Sequence, residues 1–406
     1  MHIYKTEKMK IPAKLWSKDI EKSALEQIET VCSLPFVFHH MASMPDCHTG
    51  YSCPIGSVIA TEGVVVPFFV GVDIGCGMCA VKTSLKEISQ EQIKKIFGGS
   101  KEFKGGIRGN VPVGRNHQSK KQPEILMPGI YELAKAVGGL PNAIVGQQWN
   151  SALKQLGTLG GGNHFIELQK GSDGFIWIMI HSGSRNLGYT VAKHYNNVAQ
   201  ELCKKWHSNI PAFKGEDGLA FLPLNSEEGQ NYLAEMNYCI EFALANRKLM
   251  MGNIMKVISD TISQEIVYDE MINIAHNYAR LENHFGRNVM VHRKGATSAQ
   301  EGEIGIIPGS QGTKSYIVRG LGNAESFKSC SHGAGRKMSR TVAKKTLCLE
   351  DEVKAMDDQG IIHSIRGLGG LDEAPSAYKD IAVVMEEQKD LVEILVELTP
   401  LGVIKG

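Results

Sequence analysis

The segment Gly71-Val72-Asp73-Ile74-Gly75-Cys76-Gly77-Met78 follows the apolar run Val64–Val70. A continuous run of Val and Phe predicts a strand buried on both faces, and the glycines that follow predict a tight turn. The turn carries a hard oxygen ligand, Asp73, and a soft sulfur ligand, Cys76, which a glycine-rich backbone can aim at one point. We therefore predict a metal site at the end of this strand. An isolated Asp-x-x-Cys more often marks a tight turn with a buried cysteine, so the hypothesis needs support from elsewhere in the chain.

The composition is that of a protein with a sizeable core. The chain has 406 residues, of which 42% are apolar and 21% charged, enough for one large domain or several small ones. The formal net charge is +1, so any affinity for nucleic acid must come from a local basic patch. The nine cysteines are scattered along the chain, which suggests a reducing compartment where some of them bind metal or take part in catalysis.

The sequence shows no targeting or membrane signal. Residues 1–5 lack the apolar core of a signal peptide, and no stretch approaches the ~18 apolar residues of a membrane span. We therefore expect a cytoplasmic protein that has no membrane partner.

Strand and helix patterns mix without a regular βαβ rhythm, which predicts an α+β fold. No linker or repeat divides the chain, so we expect a single domain over residues 1–406. Ser89 and Gln92 form a capping-box pattern for a short helix, and residues 227–262 have the length and period of a long helix that braces the fold from outside. Further predicted elements are a hairpin over 55–70, a mobile basic loop over 98–122, a strand over 175–180, a basic helix over 336–347 and a last amphipathic helix over 381–397.

Three histidines share the setting of Asp73 and Cys76, because each follows an apolar or glycine-rich stretch and precedes a turn. His164 follows three glycines, His181 follows the strand predicted over 175–180, and His276 is flanked by polar residues that can fix its tautomer. Each of them, taken alone, is more often an ordinary histidine with its hydrogen bonds satisfied. Spacing does not group such dispersed ligands, so whether they meet stays open at this point.

His332 differs from these three, since it lies in the small-residue segment Cys330–Arg336 ahead of a predicted helix. Free N–H groups and the positive end of the helix dipole would favour an anion there. Arg336, Arg340 and Lys344 recur every four residues and predict a basic stripe on one helix face. Such a stripe is usually only a solvated face, but beside a glycine-flanked histidine it is a candidate for binding phosphates.

Taken together, these segments resemble the RtcB family of RNA ligases. The matching motifs are Pro45-Asp46-x-His48-x-Gly50, Gly71–Met78, Leu156–Glu167, His181–Arg185, Arg293-Lys294-Gly295-Ala296, Ile307–Ser315, Ser331–Arg336, Ala377–Asp380 and Lys405-Gly406. The resemblance implies one compact domain whose mixed and antiparallel sheets form a central cleft flanked by helices. It also implies an enzyme that joins RNA ends carrying a 3′-phosphate or 2′,3′-cyclic phosphate to 5′-hydroxyl ends, in RNA splicing or repair.

The resemblance further implies two Mn²⁺ ions and GTP as cofactors. Cys76 would bridge the two ions, with Asp73 and His164 completing one site and His181 and His276 the other. A thiolate can bridge metals and the other ligands suit Mn²⁺, although Zn²⁺ binds such ligands more tightly. His332 would attack the α-phosphorus of GTP to give a His–GMP intermediate, and the GMP would pass to the RNA 3′-phosphate before the 5′-hydroxyl displaces it.

The same resemblance implies a guanine-nucleotide pocket and a set of RNA contacts. Glu167 would accept hydrogen bonds from the guanine N1 and N2 edge, and Tyr378 would supply a stacking face. The implied nucleotide-binding residues are Asn163, Glu167, Ser310, Ser315, Ala334, Gly335, Arg336, Tyr378 and Lys405, and the residues implied for RNA phosphates are Arg185, Lys294, Arg336 and Arg340. The chain departs from the family pattern at Gly50-Tyr51-Ser52-Cys53, a loop that we expect to border none of these ligands.

Two alternatives are carried alongside the ligase. A binuclear metal-dependent phosphodiesterase that opens RNA 2′,3′-cyclic phosphates needs the same metal ligands but neither His332 nor a guanine pocket. A non-catalytic RNA-binding module would use the metals only for structure. The sequence leaves open which RNA is bound, whether an activating protein is needed, and the oligomeric state.

Overall fold

A computed structural model describes residues 1–98, 105–208 and 219–406. The strands are β1 (His2–Tyr4), β2 (Ala13–Leu15), β3 (Val37–His48), β4 (Ile55–Thr61), β5 (Val64–Val65), β6 (Gly77–Lys82), β7 (Phe165–Gly171), β8 (Ile176–Ser182), β9 (Leu222–Pro223), β10 (Ile272–Ala275), β11 (Asn277–His284), β12 (Arg287–Lys294), β13 (Ala296–Ser298), β14 (Ile304–Ile307), β15 (Ser315–Gly320), β16 (Ser329–Ser331) and β17 (Val392–Lys405). The α-helices are α1 (Lys22–Cys32), α2 (Pro67–Val70), α3 (Gln90–Phe97), α4 (Gly106–Asn110), α5 (Tyr131–Ala136), α6 (Ile144–Gln155), α7 (Arg185–Lys205), α8 (Glu227–Thr261), α9 (Arg340–Thr346), α10 (Leu349–Asp358) and α11 (Ile381–Glu387).

Two large sheets organise the described part of the chain. One has six strands in the order β1-β2-β3-β4-β12-β11, and the other has seven in the order β10-β6-β8-β7-β17-β15-β14. The seven-stranded sheet is antiparallel throughout, whereas β2 and β3 of the six-stranded sheet run parallel. Small two-stranded sheets, β13-β16 and β5-β9, accompany them. The α+β class and the single compact domain are confirmed.

Helix α3 begins as its sequence predicts. The Ser89 side chain accepts a hydrogen bond from the Gln92 backbone N–H at 3.1 Å, and the Gln92 side chain accepts one from the Ser89 N–H at 2.8 Å. The two residues thereby satisfy each other's free backbone donors at the start of the helix.

The long helix α8 lies where the sequence predicts it, but it is not only an external brace. It buries a full stripe of side chains, and Tyr232, Phe242 and Arg247 have no exposed surface. No described helix is long and apolar enough to cross a membrane.

The strand predicted over Val64–Val70 is wrong. The strand β5 stops at Val65, and Pro67 starts the single-turn helix α2, where its missing N–H and fixed φ are suited to the first helical turn. The hairpin predicted over 55–70 is also wrong, because β4 pairs with β3 and β12 while β5 pairs with β9.

Three other predicted elements differ from the structure. The final helix predicted over 381–397 ends at Glu387, and the residues after it form strand β17. The basic helix predicted over 336–347 begins only at Arg340, so His332 does not lie at a helix N-terminus. The loop predicted over 98–122 contains helix α4, and its residues 99–104 lie outside the described part of the chain.

Candidate active site

The five predicted metal ligands come together at one end of four neighbouring strands. In the order β10-β6-β8-β7, His276 follows the end of β10, Cys76 precedes β6, His181 is the penultimate residue of β8, and His164 precedes β7. Because these strands alternate in direction, the end of one lies beside the start of the next. The register confirms this, with Ala275 opposite Gly77 and His181 opposite both Met78 and Phe165.

The side chains form two clusters that share one sulfur. Asp73, Cys76 and His164 make the first cluster, and Cys76, His181 and His276 make the second; within each, the three ligand atoms lie within 4.8 Å of one another. Cys76 Sγ is 3.4 Å from His164 Nε2 and 3.3 Å from His181 Nε2. This donor set of one thiol, one carboxylate and three imidazoles is suited to a pair of divalent cations bridged by the thiolate.

The charge states of these groups depend on burial. Burial raises the pKa of the Cys76 thiol well above its usual value, and the Asp73 carboxylate raises it further. Burial lowers the pKa of both His181 and His276 well below the usual value, so both imidazoles are neutral at physiological pH. Neutral imidazoles are the form that binds metals.

Two of the histidines have their tautomer set by a backbone carbonyl. His164 Nδ1 lies 2.9 Å from the Leu159 carbonyl oxygen, and His181 Nδ1 lies 3.2 Å from that of Asn163. With the proton on Nδ1 donated to the carbonyl, Nε2 of each ring is unprotonated, and its lone pair faces Cys76 and can bind a metal. In metal-binding histidines the ring nitrogen that does not bind the metal usually makes a hydrogen bond of this type.

His332 lies next to the second cluster, with its ring centre 4.8 Å from that of His276. Its Nδ1 is 2.6 Å from Asp46 Oδ2, a close contact that is misaligned for a hydrogen bond, and its backbone N–H donates to the same oxygen at 3.1 Å. Gly335 has a positive φ of 71°, and a Cβ there would be 2.3 Å from the Asp46 carbonyl oxygen. The turn after His332 is thus packed directly against the residue that contacts the imidazole.

A cleft of about 870 Å³ connects these groups, and both large sheets contribute to its walls. Of the predicted site residues, those that line it are Asp73, Cys76, Asn163, His181, His276, Lys294, Ser310, His332, Ala334, Gly335, Arg336, Arg340, Tyr378 and Lys405. His164, Glu167, Arg185 and Ser315 lie behind the lining. The volume is that of a typical small-molecule site.

Four of the predicted nucleotide and RNA residues converge on Glu373. Arg336 and Arg340 contact its Oε1 at 3.3 and 3.1 Å, Lys405 Nζ is 3.5 Å from Oε2, and the Tyr378 hydroxyl donates to the same oxygen. The predicted basic stripe is therefore not a free phosphate-binding face in this structure. Its third member, Lys344, pairs with the neighbouring Asp372 at 3.1 Å.

Glu167 is buried in strand β7, with its carboxylate accepting a hydrogen bond from Gln169 at 2.7 Å. The Gln169 amide also donates to Ser315 at 3.2 Å, so these two predicted pocket residues are joined through a third. Burial raises the pKa of Glu167 to about 8, and the Lys405 ammonium and the Gln169 hydrogen bond offset this only in part.

The expectation that the loop Gly50–Cys53 borders no predicted ligand is wrong. The Lys294 ammonium donates to the carbonyl oxygens of Tyr51 and Cys53, the latter at 3.2 Å, and Tyr51 lines the cleft. Arg185, which begins helix α7, donates instead to Thr158 and Gly114, each at 3.1 Å. Both predicted phosphate contacts therefore have protein partners.

Comparison with known proteins agrees with the family resemblance, and the matches cover nearly the whole chain. Residues 27–406 match the family model described as tRNA-splicing ligase RtcB. The chain belongs to the RtcB family. It is 39% identical over 415 residues to the RNA-splicing ligase RtcB of Escherichia coli strain K12, with 97% of each chain covered. It is also 33% identical to the tRNA-splicing ligase RtcB of Archaeoglobus fulgidus (95% of this chain, 92% of the relative) and 31% identical to that of Methanococcus maripaludis (96% and 92%).

Two residues that the structure places in this RtcB-family site were given no role from the sequence. Asp46 lies within a family motif, but its contact with His332 spans 286 positions of the chain, and no local pattern indicates it. Glu373 lies outside all the motifs, in a 3₁₀ segment over Leu368–Glu373. Its contacts with Arg336, Arg340, Lys405 and Tyr378 are made across the fold, and no local pattern in the sequence indicates them.

Proposed function

We propose that this chain is a GTP-dependent RNA ligase that joins 3′-phosphate or 2′,3′-cyclic phosphate ends to 5′-hydroxyl ends. The observation that carries the proposal is the position of His332, 4.8 Å between ring centres from His276 and in contact with Asp46. The family membership and the names of the relatives, RNA-splicing and tRNA-splicing ligases, support it.

The two clusters that share Cys76 fit a pair of divalent cations, for which we propose Mn²⁺. The donor set itself supports the fit, since five ligand atoms from four separate segments of the chain converge although burial makes an isolated thiolate unfavourable. Bound there, the ions would supply Lewis-acid stabilisation of phosphate charge.

His332 is the proposed nucleophile. With Nδ1 held against Asp46, Nε2 carries the lone pair that attacks the α-phosphorus of GTP. A nitrogen–phosphorus bond forms while the bond from phosphorus to the bridging oxygen breaks, and pyrophosphate leaves with that electron pair. Asp46 then stabilises the positive charge that the ring acquires.

The transfer of GMP to RNA breaks the nitrogen–phosphorus bond again. An oxygen of the RNA 3′-phosphate attacks the same phosphorus, the nitrogen–phosphorus bond breaks, and the pair returns to His332. The 5′-hydroxyl oxygen then attacks the activated RNA phosphate and GMP leaves. A cyclic end must first be hydrolysed to a 3′-phosphate.

Specificity for guanine is proposed to come from Glu167, whose carboxylate can accept from the N1 and N2 edge that adenine lacks. Lys405, Tyr378, Arg336 and Arg340 already converge at the cleft wall on Glu373. We propose that the three cations, Lys405, Arg336 and Arg340, exchange Glu373 for phosphate groups when nucleotide and RNA enter, since Arg and Lys bind both types of anion.

The proposal is tested with GTP labelled at the α-phosphate in the presence of Mn²⁺. Wild-type protein should acquire acid-labile, hydroxylamine-sensitive label, and His332→Ala should acquire none. His2→Ala, a matched change of an exposed histidine on β1, should label as wild type does. Label that persists in His332→Ala would show that the nucleophile is another residue.

A second experiment distinguishes the ligase from the alternative, a cyclic phosphodiesterase. RNA with a 2′,3′-cyclic phosphate end is supplied with a 5′-hydroxyl RNA and Mn²⁺, with and without GTP. Joined product that depends on GTP supports the ligase. Accumulation of 3′-phosphate ends with no joined product in either case supports the phosphodiesterase.

A further inference from the structure

Helix α8 carries two adjacent polar residues, Asn246 and Arg247, that have no exposed surface. The proposed reaction uses neither of them. Burying a guanidinium costs several kcal/mol, on the order of that for any isolated ion, unless its donors are satisfied. Their partners therefore show what this part of the helix does.

Arg247 donates to the backbone of strands β8 and β10 and of the turn before β6. Its guanidinium reaches the carbonyl oxygens of Gly75 at 3.0 Å, Ser182 at 2.8 Å and Ile274 at 3.2 Å. Gly75 precedes Cys76, Ser182 follows His181, and Ile274 lies two residues before His276. One rigid fork thus ties together the three segments that carry the second cluster.

A fourth contact sets the orientation of the guanidinium. Arg247 Nε donates to Asn273 Oδ1 at 2.7 Å, and the Asn273 amide donates to the Leu244 carbonyl oxygen of helix α8 at 3.1 Å. The fork is therefore held from its base as well as at its tips.

Asn246 binds one further segment, residues 157–158, and shares the end of strand β8 with Arg247, where its Nδ2 also donates to Ser182 Oγ at 3.3 Å. Its Oδ1 accepts from the N–H groups of Gly157 and Thr158 at 2.7 and 3.1 Å, and its Nδ2 donates to the Thr158 and Gly183 carbonyl oxygens, each at 3.1 Å. The next residue, Leu159, supplies the carbonyl that sets the His164 tautomer.

Gly183 extends the Asn246 contacts to the other ligand of the first cluster. A Cβ at Gly183 would be 2.4 Å from Asp73 Oδ1, so this backbone is in direct contact with the Asp73 carboxylate. Asn246 thus supports the surroundings of both Asp73 and His164.

We propose that Asn246 and Arg247 are positioning residues that divide the paired metal site between them. Arg247 sets the spacing of Cys76, His181 and His276, and Asn246 sets the surroundings of Asp73 and His164. The inference rests on the proposed function, because it takes each cluster to hold an ion.

The test measures Mn²⁺ binding to the full chain by calorimetry and by electron paramagnetic resonance. Wild type should bind two ions. His276→Ala and His164→Ala, which each remove a ligand of one cluster, serve as references that each retain one strong site. Arg247→Lys keeps the charge but lacks the planar fork of donors. It should weaken the binding of the ion in the second cluster by roughly 10–100-fold, the range for losing a residue that orients metal ligands by hydrogen bonds.

The combinations assign which ion is weakened. Arg247→Lys should weaken the ion that remains in His164→Ala more than the ion that remains in His276→Ala, which shares only Cys76 with the segments that Arg247 holds. Asn246→Ala should show the opposite pattern. Lys248→Met, an exposed cation on the same helix, should change neither ion.

Each result decides the inference. Equal weakening of both ions by Arg247→Lys, or of neither, overturns the division. If circular dichroism shows that Arg247→Lys does not fold, Asn273→Ala replaces it. It removes the contact at Nε and the bond to the Leu244 carbonyl but leaves the three contacts of the guanidinium tips, and it should weaken the second ion several-fold. Unchanged binding then overturns the assignment. Wild type that binds no pair of ions would instead reject the proposed function itself.

Discussion

Asp46 shows what can and cannot be inferred about a single residue. Its motif was visible in the sequence, but its role is a matter of contact. The carboxylate is fully buried, accepts the His332 N–H, and contacts the His332 ring. Since the two residues are far apart in the chain, only the fold brings them together. The candidate ligands, by contrast, were chosen from chemistry, because thiol, carboxylate and imidazole are the groups that bind such metals, and the structure brings the five side chains together.

Asp46→Asn should keep the shape of the site and lose the charge behind His332. We expect guanylylation of His332 to slow by roughly 10²–10⁴-fold, the usual range for a residue that orients and charges a catalytic histidine. Single-turnover labelling with α-labelled GTP measures this rate. Asp358→Asn, at an exposed helical position, is the matched control. A rate within about twofold of wild type would remove Asp46 from the mechanism.

Glu167 predicts a pH dependence of nucleotide affinity. Its pKa is raised to about 8 by burial, so below that pH the free protein holds a protonated carboxyl, which cannot accept two hydrogen bonds. Guanine must then expel a proton on binding, and the Kd for GTP should fall by up to about tenfold per pH unit as the pH rises towards 8 and then level off. Calorimetry between pH 6.5 and about 8.5 tests this, and Glu167→Gln should bind more weakly with a flat profile. A flat profile in the wild type would contradict the proposed contact.

At the scale of elements, the sequence predicts the presence of a helix or strand better than the residues at which it begins and ends. A short apolar run does not distinguish a buried strand from a buried helical turn, and in Val64–Val70 the decisive signal was Pro67, which begins helix α2. In 381–397 the apolar spacing of helix α11 continues through Leu391 and Val392 into the strand. Periodicity therefore could not locate the break after Glu387.

The backbone of the turn before Cys76 predicts that a substitution at Gly75 destabilises the fold. Gly75 has a φ of +74°, and a Cβ there would lie 2.9 Å from the Ile240 Cα of helix α8. Gly75→Ala should therefore combine backbone strain with a steric clash and lower the free energy of unfolding by about 2–4 kcal/mol. Gly63 has a similar φ of +71° with no atom within 4 Å of the added Cβ.

Gly63→Ala is thus the matched control, and it should lose only about 1–2 kcal/mol from strain. Urea unfolding of the two variants measures the difference. Equal losses would show that helix α8 does not constrain the turn that carries Cys76.

At the scale of the whole molecule, the site could not have been assembled from sequence. The proposed ligands lie at the ends of four strands or in the turns beside them, and they meet because β10, β6, β8 and β7 are neighbours in one antiparallel sheet. That pairing order does not follow the order of the chain. The α+β class was predictable from the lack of a βαβ rhythm, whereas the strand order that builds the site was not.

The buried histidines predict acid sensitivity of the metal-free protein. Burial lowers the pKa of His40 to about 3 and that of His48 and His292 to about 4. Below their ordinary value of 6.5 the unfolded chain binds protons that the folded chain does not, so stability falls as the pH falls from 6.5 towards 4. Glu167 acts in the opposite direction, because its raised pKa makes the folded chain bind a proton first.

The net effect of these four groups is a slope of about 2–3 kcal/mol per pH unit near the middle of that range. Urea unfolding in the presence of a chelator at several pH values measures it. His292→Gln should reduce the slope by about 1.4 kcal/mol per pH unit, and His2→Gln should leave it unchanged. A stability that stays constant over this range would contradict the neutral burial of these rings.

Strand β17 lies between β7 and β15, although it comes more than two hundred positions after the first of them. A growing nascent chain therefore exposes two unpaired sheet edges until this strand leaves the ribosome. Unpaired edges invite association with other chains, so the interval before β17 pairs is when chaperones matter most for this protein. Lys405, at the end of the same strand, reaches the cleft only when that pairing forms, and the site is incomplete until then.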